Sequence, residues 1–130
     1  MGILVADLMN LPFIYVRPSS KKHGRKNQIE GQFSKSQKVV VIEDLISTGN
    51  SSLMAINALR NEDLKVKGMI SIFTYGFDIS YENFKGKNVD FHSLSSYDYL
   101  LEKALDINYI TDNEFKILKD WKKNQAQWKI

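Results

Sequence analysis

The chain has 130 residues, 43% hydrophobic and 25% charged, an ordinary globular composition that excludes a disordered chain. It has no cysteine, which excludes a disulfide framework, a cysteine-based zinc site and a thiol nucleophile. The net charge of +3 is uneven: Arg17 to Lys38 holds seven basic residues and one acid, Glu30, so this stretch carries +6 and the rest −3. A uniformly basic nucleic-acid binder does not look like this, whereas one basic segment on an acidic body does.

Residues 3–9 are apolar apart from Asp7 and read as the end of a buried helix, stopped by Leu11-Pro12. Phe13 to Val16 is a short strand-forming run. From Pro18 to Lys38 apolar residues almost vanish, leaving Ile29 and Phe33 in a long polar segment without a period. Structureless segments of this length inside domains are functional loops or disorder.

Val39 to Ile42 is a continuous apolar run, which predicts a strand covered on both faces and ended by Glu43 and Asp44. A Ser/Thr/Gly loop then leads into a helix with Leu53, Ile56, Ala58 and Leu59 inward and Asn61 at its end. Val66–Tyr75 predicts the next strand, Ser80–Lys85 a short helix and Val89–Leu94 a short strand. Ser95 or Ser96 caps a helix holding Leu100, Leu101, Ala104 and Leu105. Thr111 to Glu114 is a capping box opening a last helix over 111–130.

Strands alternating with helices predict an α/β fold with a parallel sheet flanked by helices, in one domain over 1–130. Ligands of such sheets sit at the carboxyl ends of the strands, where Arg17, the basic loop, Glu43, Asp44 and the Ser/Thr/Gly loop all fall. No apolar run approaches the roughly 18 residues needed to span a bilayer. The start, MGILVADLMNLP, lacks the marks of a signal peptide, and Ala6 weakens a myristoylation signal. A soluble cytoplasmic protein is the default expectation.

The segment VVVIEDLISTGNSS (39–52) carries the most chemistry. Two adjacent acids at a buried strand end are costly unless cations or hydroxyls meet them. Small and hydroxylated residues before a helix offer backbone N–H groups to a phosphate. Together they suit a ribose 5-phosphate; the plainer alternative is solvated acids followed by a turn. A Walker A loop is excluded, because no Gly-Lys-Ser/Thr follows the strand.

This segment resembles the phosphoribosyl-pyrophosphate (PRPP) signature of type I phosphoribosyltransferases: apolar strand, two acids, two apolar residues, then a hydroxyl-Thr-Gly loop. Pro12 to Gly24, with Tyr15-Val16-Arg17 and Lys21-Lys22-His23-Gly24, followed by Asn27 to Gly31, resembles the catalytic loop of orotate phosphoribosyltransferases. Phe73-Thr74-Tyr75-Gly76-Phe77 and the Trp121 to Trp128 tail are similar to one bacterial branch. The resemblance covers nearly the whole chain.

The resemblance implies that orotate and PRPP, with Mg2+ carried by PRPP and not bound directly by protein residues, give orotidine 5′-monophosphate and pyrophosphate in pyrimidine biosynthesis. Glu43 and Asp44 would hold the ribose hydroxyls and favour the oxocarbenium-like transition state. Leu45, Ile46, Ser47, Thr48, Gly49, Asn50 and Ser51 would form the PRPP loop, with Ser47 also on orotate. Arg17, Lys21 and His23 would meet the pyrophosphate, assisted by Lys22, with Lys21, His23 and Asp44 catalytic. The 18–38 segment would be a mobile lid reaching the neighbouring subunit of a homodimer. No membrane or nucleic-acid partner is implied; only Phe33 offers an aromatic within the basic loop.

Set against these roles, the basic loop is otherwise a solvated surface, and a lone His23 an exposed surface histidine. His92, in a predicted strand, reads as structural. Trp121 and Trp128 read as packing residues, and Lys116, Lys119, Lys122, Lys123 and Lys129 as a solvated helix face.

Three features depart from the family pattern. Pro18 stands where many members have lysine. Tyr75 stands about where many have an orotate-binding arginine. The family's N-terminal hood and first core strand have no counterpart, so the resemblance implies an N-terminally incomplete sheet with a gap between the Phe13–Val16 and Val39–Ile42 strands. The expectation is a fragment, a shortened product or part of an assembly, poorly active unless a partner supplies the rest. The alternatives are a non-catalytic PRPP- or nucleotide-binding protein on this fold, an inactive fragment, a purine phosphoribosyltransferase or, last, an RNA-binding module.

Overall fold

A computed structural model describes residues 1–18 and 28–124. Helix α1 (Gly2–Leu8) leads to a two-residue strand, β1 (Tyr15–Val16), which pairs antiparallel with β2 (Ile29–Glu30). Then come β3 (Lys38–Ile46), α2 (Asn50–Asn61), β4 (Lys65–Thr74), α3 (Asp78–Gly86), β5 (Phe91–Ser96), α4 (Tyr97–Asp106) and α5 (Asp112–Asn124). Strands β3, β4 and β5 form a parallel sheet in that order, and the β1–β2 ribbon is separate from it. The fold is therefore α/β, a parallel sheet flanked by helices.

Helix α2 turns Leu53 and Ile56 into one core with Ile46, Met69, Phe84 and Val89. Its last turn gives Leu59 to a second core with Leu64 and Ile29, flanked by Ile14, Val16 and Phe33. Spacings of three from Leu53 to Ile56 to Leu59 make this one continuous stripe. The helix ends where Asp63, at φ 62°, reverses the chain and Leu64 N–H donates to Leu59 C=O at 3.1 Å. Arg60 donates to the Lys87 and Asn88 carbonyls just past the end of α3, joining the two helices.

Several expectations change. First, α1 forms but has no buried residue: Leu4 is 65% exposed and Leu8 88%, because no described element covers its apolar side. Second, β3 does not stop at the acids. It runs to Ile46, since pairing of Glu43 with Ser71 and of Ile46 with Thr74 continues the ladder and leaves the acids partly solvated. Nor is the sheet covered on both faces: Val40, Ile70, Ile72 and Leu94 share a face and are all exposed. Third, the segment after Pro18 is not structureless throughout. Ile29, buried to 6%, anchors β2, and Ser36 N–H donates to Asp63 C=O at 2.8 Å.

The other elements fall close to expectation. Ser96 caps α4, its Oγ accepting from Tyr99 N–H at 3.4 Å. Thr111 and Glu114 form the reciprocal capping box of α5, with Thr111 N–H to Glu114 Oε2 at 2.8 Å and Glu114 N–H to Thr111 Oγ1 at 3.3 Å. The Thr111 N–H and, at 2.8 Å, the Thr111 hydroxyl both donate to the Glu114 carboxylate and hold it below its ordinary pKa. Asp98 of α4 takes Lys122 at 2.6 Å and Lys119 at 3.8 Å, so part of the basic face of α5 is an ion-pair seam and not simply solvated.

Candidate functional site

The carboxyl end of β3 and the start of α2 form one continuous cradle. Ile46, 1% exposed, sinks its side chain into the core and fixes the loop's origin. Its carbonyl accepts from Tyr75 N–H at 2.9 Å and from Thr74 Oγ1 at 3.4 Å, tying the loop to the end of β4. Thr74 Oγ1 also accepts from Gly76 N–H at 3.0 Å. Ile46 therefore serves the cradle through its backbone and core contacts.

Gly49 precedes α2 with φ 80°, in the left-handed region that side chains resist. A Cβ there would lie 2.6 Å from Phe84 Cε2, so both conformation and space demand glycine. Gly49 C=O accepts from Leu53 N–H at 2.9 Å, closing the first turn. No described side chain caps α2, which leaves its first amides available to an anion at the positive end of the helix dipole. Asn83 holds the loop from α3, its Nδ2 donating to Thr48 C=O at 3.0 Å and, at 3.4 Å, to Asn50 Oδ1.

The two acids differ. Asp44 is exposed, and its Oδ1 accepts from its neighbour Leu45 N–H at 2.7 Å. Glu43 is half-buried, and its pKa is raised, first by burial and then by the charge of Asp44. The Ser52 hydroxyl lies close enough to pull that pKa partly back down, yet it makes no formed hydrogen bond with any described residue. Ser52 is 2% exposed, so the cradle contains a buried hydroxyl of unspent capacity.

Arg17 is held in the β1–β2 ribbon. It stands at the end of β1, where its N–H donates to Gln28 C=O at 2.8 Å and its guanidinium binds Glu30 at 2.7 Å across the ribbon. The ribbon packs on the last turn of α2, whose first turn carries the cradle. Lys21, Lys22 and His23 lie outside the described residues, as does Trp128. The structure thus brings together Glu43 through Ser51 but keeps Arg17 within the ribbon. His92 is exposed on β5.

Sequence reasoning missed Asn83, Phe84 and Ser52. The first two reach the loop from more than thirty residues away and carry no local signal. Ser52 stands directly after the predicted loop residues, and its helical position could have marked it. Tyr75 does not stand open at the strand end: it stacks on Phe77 with ring centroids 5.3 Å apart and 10° between planes, among Phe73, Tyr97 and Trp121.

Among the described residues, no helix is long and apolar enough to cross a membrane. No family model matches the sequence. An orotate phosphoribosyltransferase of Cytophaga hutchinsonii is 51% identical over 128 residues, which are 98% of this chain and 61% of that protein. The Leishmania donovani UMP synthase structure matches 95% of this chain and 26% of its own, at 30% identity and TM-score 0.72. An orotate phosphoribosyltransferase of Mycobacterium tuberculosis in complex with 5-phospho-alpha-D-ribosyl 1-diphosphate matches 68% of this chain and 49% of its own, at 26% identity and TM-score 0.56. The chain thus spans about 61% of the length of the curated relative. By sequence and by fold, the chain is similar to orotate phosphoribosyltransferases, which are type I phosphoribosyltransferases.

Proposed function

We propose that the chain is an orotate phosphoribosyltransferase, transferring the 5-phosphoribosyl group of PRPP to orotate in cytoplasmic pyrimidine biosynthesis. The observation that carries this reading is the cradle: an acid pair on a strand end, followed by a left-handed glycine with no space for a side chain and the uncapped start of α2. The 5′-phosphate would sit on the amides of Ser47 to Ser51. Glu43 and Asp44 would hold the ribose 2′- and 3′-hydroxyls. The bond from ribose C1′ to pyrophosphate breaks as the bond from C1′ to orotate N1 forms, and the electron pair leaves with pyrophosphate. Positive charge grows on the ribose beside two carboxylates, which favour it.

PRPP would enter as its Mg2+ complex, the metal supplying positive charge to the leaving group. Arg17 would leave Glu30 to meet the leaving group, joined by Lys21, Lys22 and His23 from the segment between β1 and β2, which would exclude water on closing, whereas the 28–38 part of the expected lid is held by β2 and β3. Lys21 and His23 would serve the neighbouring subunit of a homodimer, and Ser47 would also contact orotate. A second reading, a non-catalytic PRPP-binding protein, is favoured by one observation: Tyr75, about where the family pattern expects arginine, is engaged by other aromatic rings.

The test is loss of orotate absorbance with PRPP and Mg2+. Equal yields of orotidine 5′-monophosphate and pyrophosphate support the enzyme. PRPP binding without turnover, by this chain and also by a version extended upstream, supports the second reading. Failure to bind PRPP overturns both.

A further inference from the structure

Helix α5 lies far from the cradle in sequence, yet it ends one continuous path of contacts to it. Trp121 touches Tyr75 with ring centroids 5.9 Å apart, Phe77 at 5.9 Å and Tyr97 at 5.3 Å. Tyr75 is the residue whose N–H clasps Ile46 C=O at the loop's origin. Phe77 is the N-cap of α3, the helix whose Asn83 holds Thr48 and whose Phe84 backs Gly49. One indole therefore touches both arms that grip the 47–50 loop. The helix behind it is held by Lys122, which binds Asp98 at 2.6 Å and whose Nζ would lie 3.2 Å from a Cβ on Gly76, within the Tyr75–Phe77 turn.

We propose that Trp121 is a positioning residue for the phosphate cradle, acting through Tyr75 and Phe77. Solvation alone does not explain an indole spanning three aromatic rings: Tyr97 opens α4, and the other two, Tyr75 and Phe77, belong to the turn that carries the cradle's clasps. For its effect on PRPP, the inference rests on the proposed function; for its effect on the loop, it does not.

The experiment compares wild type, Trp121→Leu and Trp121→Phe by amide hydrogen exchange and by Mg–PRPP titration. The reporters are the amides of Tyr75, Gly76 and Leu53, which are bonded to Ile46 C=O, Thr74 Oγ1 and Gly49 C=O. In Trp121→Leu these three should exchange about tenfold faster, while Met69, bonded to Asp90 C=O, is unchanged. PRPP affinity should fall about tenfold, and Trp121→Phe should restore most of both effects. Unchanged reporters, or equal acceleration at Met69, would overturn the proposal. Should Trp121→Leu not fold, Trp121→Met is read in the same way. If wild type does not bind PRPP, the proposed function fails, and the exchange pattern still decides the role of Trp121.

Discussion

Gly49 sits so close to Phe84 that it admits no side chain: a Cβ on Gly49 would lie 2.6 Å from the Phe84 ring, which is itself 1% exposed. The turn that opens α2 is thus seated directly on the core, and the geometry of the cradle is set by packing rather than by the loop alone.

Gly49→Ala should cost about 2–4 kcal/mol, combining a strained left-handed residue with an overpacked core. Urea unfolding measures this. Adding Phe84→Leu makes room, so the double variant should lose less than the sum of the single ones. Strict additivity would show that the contact is not the cause.

Asn83→Ala removes the amide that holds Thr48 C=O and Asn50. Stability should fall by about 1 kcal/mol and PRPP affinity about fivefold, since a loosened loop must be ordered on binding. Unchanged affinity by calorimetry would mean that the loop keeps its shape without α3.

Arg17→Ala should barely change stability, because its pair with Glu30 is exposed and such pairs are worth about 0–1 kcal/mol. Affinity for pyrophosphate should fall about tenfold or more, with a weaker salt dependence. Equal affinity would confine Arg17 to the ribbon.

Glu43→Gln should raise stability at neutral pH while weakening PRPP binding. A carboxyl with a raised folded-state pKa holds its proton more tightly folded than unfolded. The stability of the wild type therefore falls as pH rises from the ordinary value of 4.5 through the raised one, and ionised Glu43 costs stability above that window. The gain from Gln should open across this window and vanish below it. Thermal melts across pH test this, and a gain that persists at low pH would refute it.

The strand-loop-helix of 39–61 was legible because its signals are local: a β-branched run, adjacent acids, a glycine before a helical stripe. The capping box at Thr111 was legible for the same reason. What holds the cradle was not. Asn83 and Phe84 are ordinary residues of an amphipathic helix until the fold brings them to Thr48 and Gly49. Strand β2 was hidden because two residues among polar neighbours carry no period, and only the burial of Ile29 against Leu59 and Leu64 defines it. The buried reading of α1 failed because apolar composition reports a preference for cover, not its presence.

The most direct measurement is a calorimetric titration of Mg–PRPP into the chain and into the double variant Glu43→Gln/Asp44→Asn. Saturable binding at one site per chain is expected, lost or weakened at least about a hundredfold when both ribose-holding charges are removed. No binding by the wild type, or equal binding by both, would contradict it.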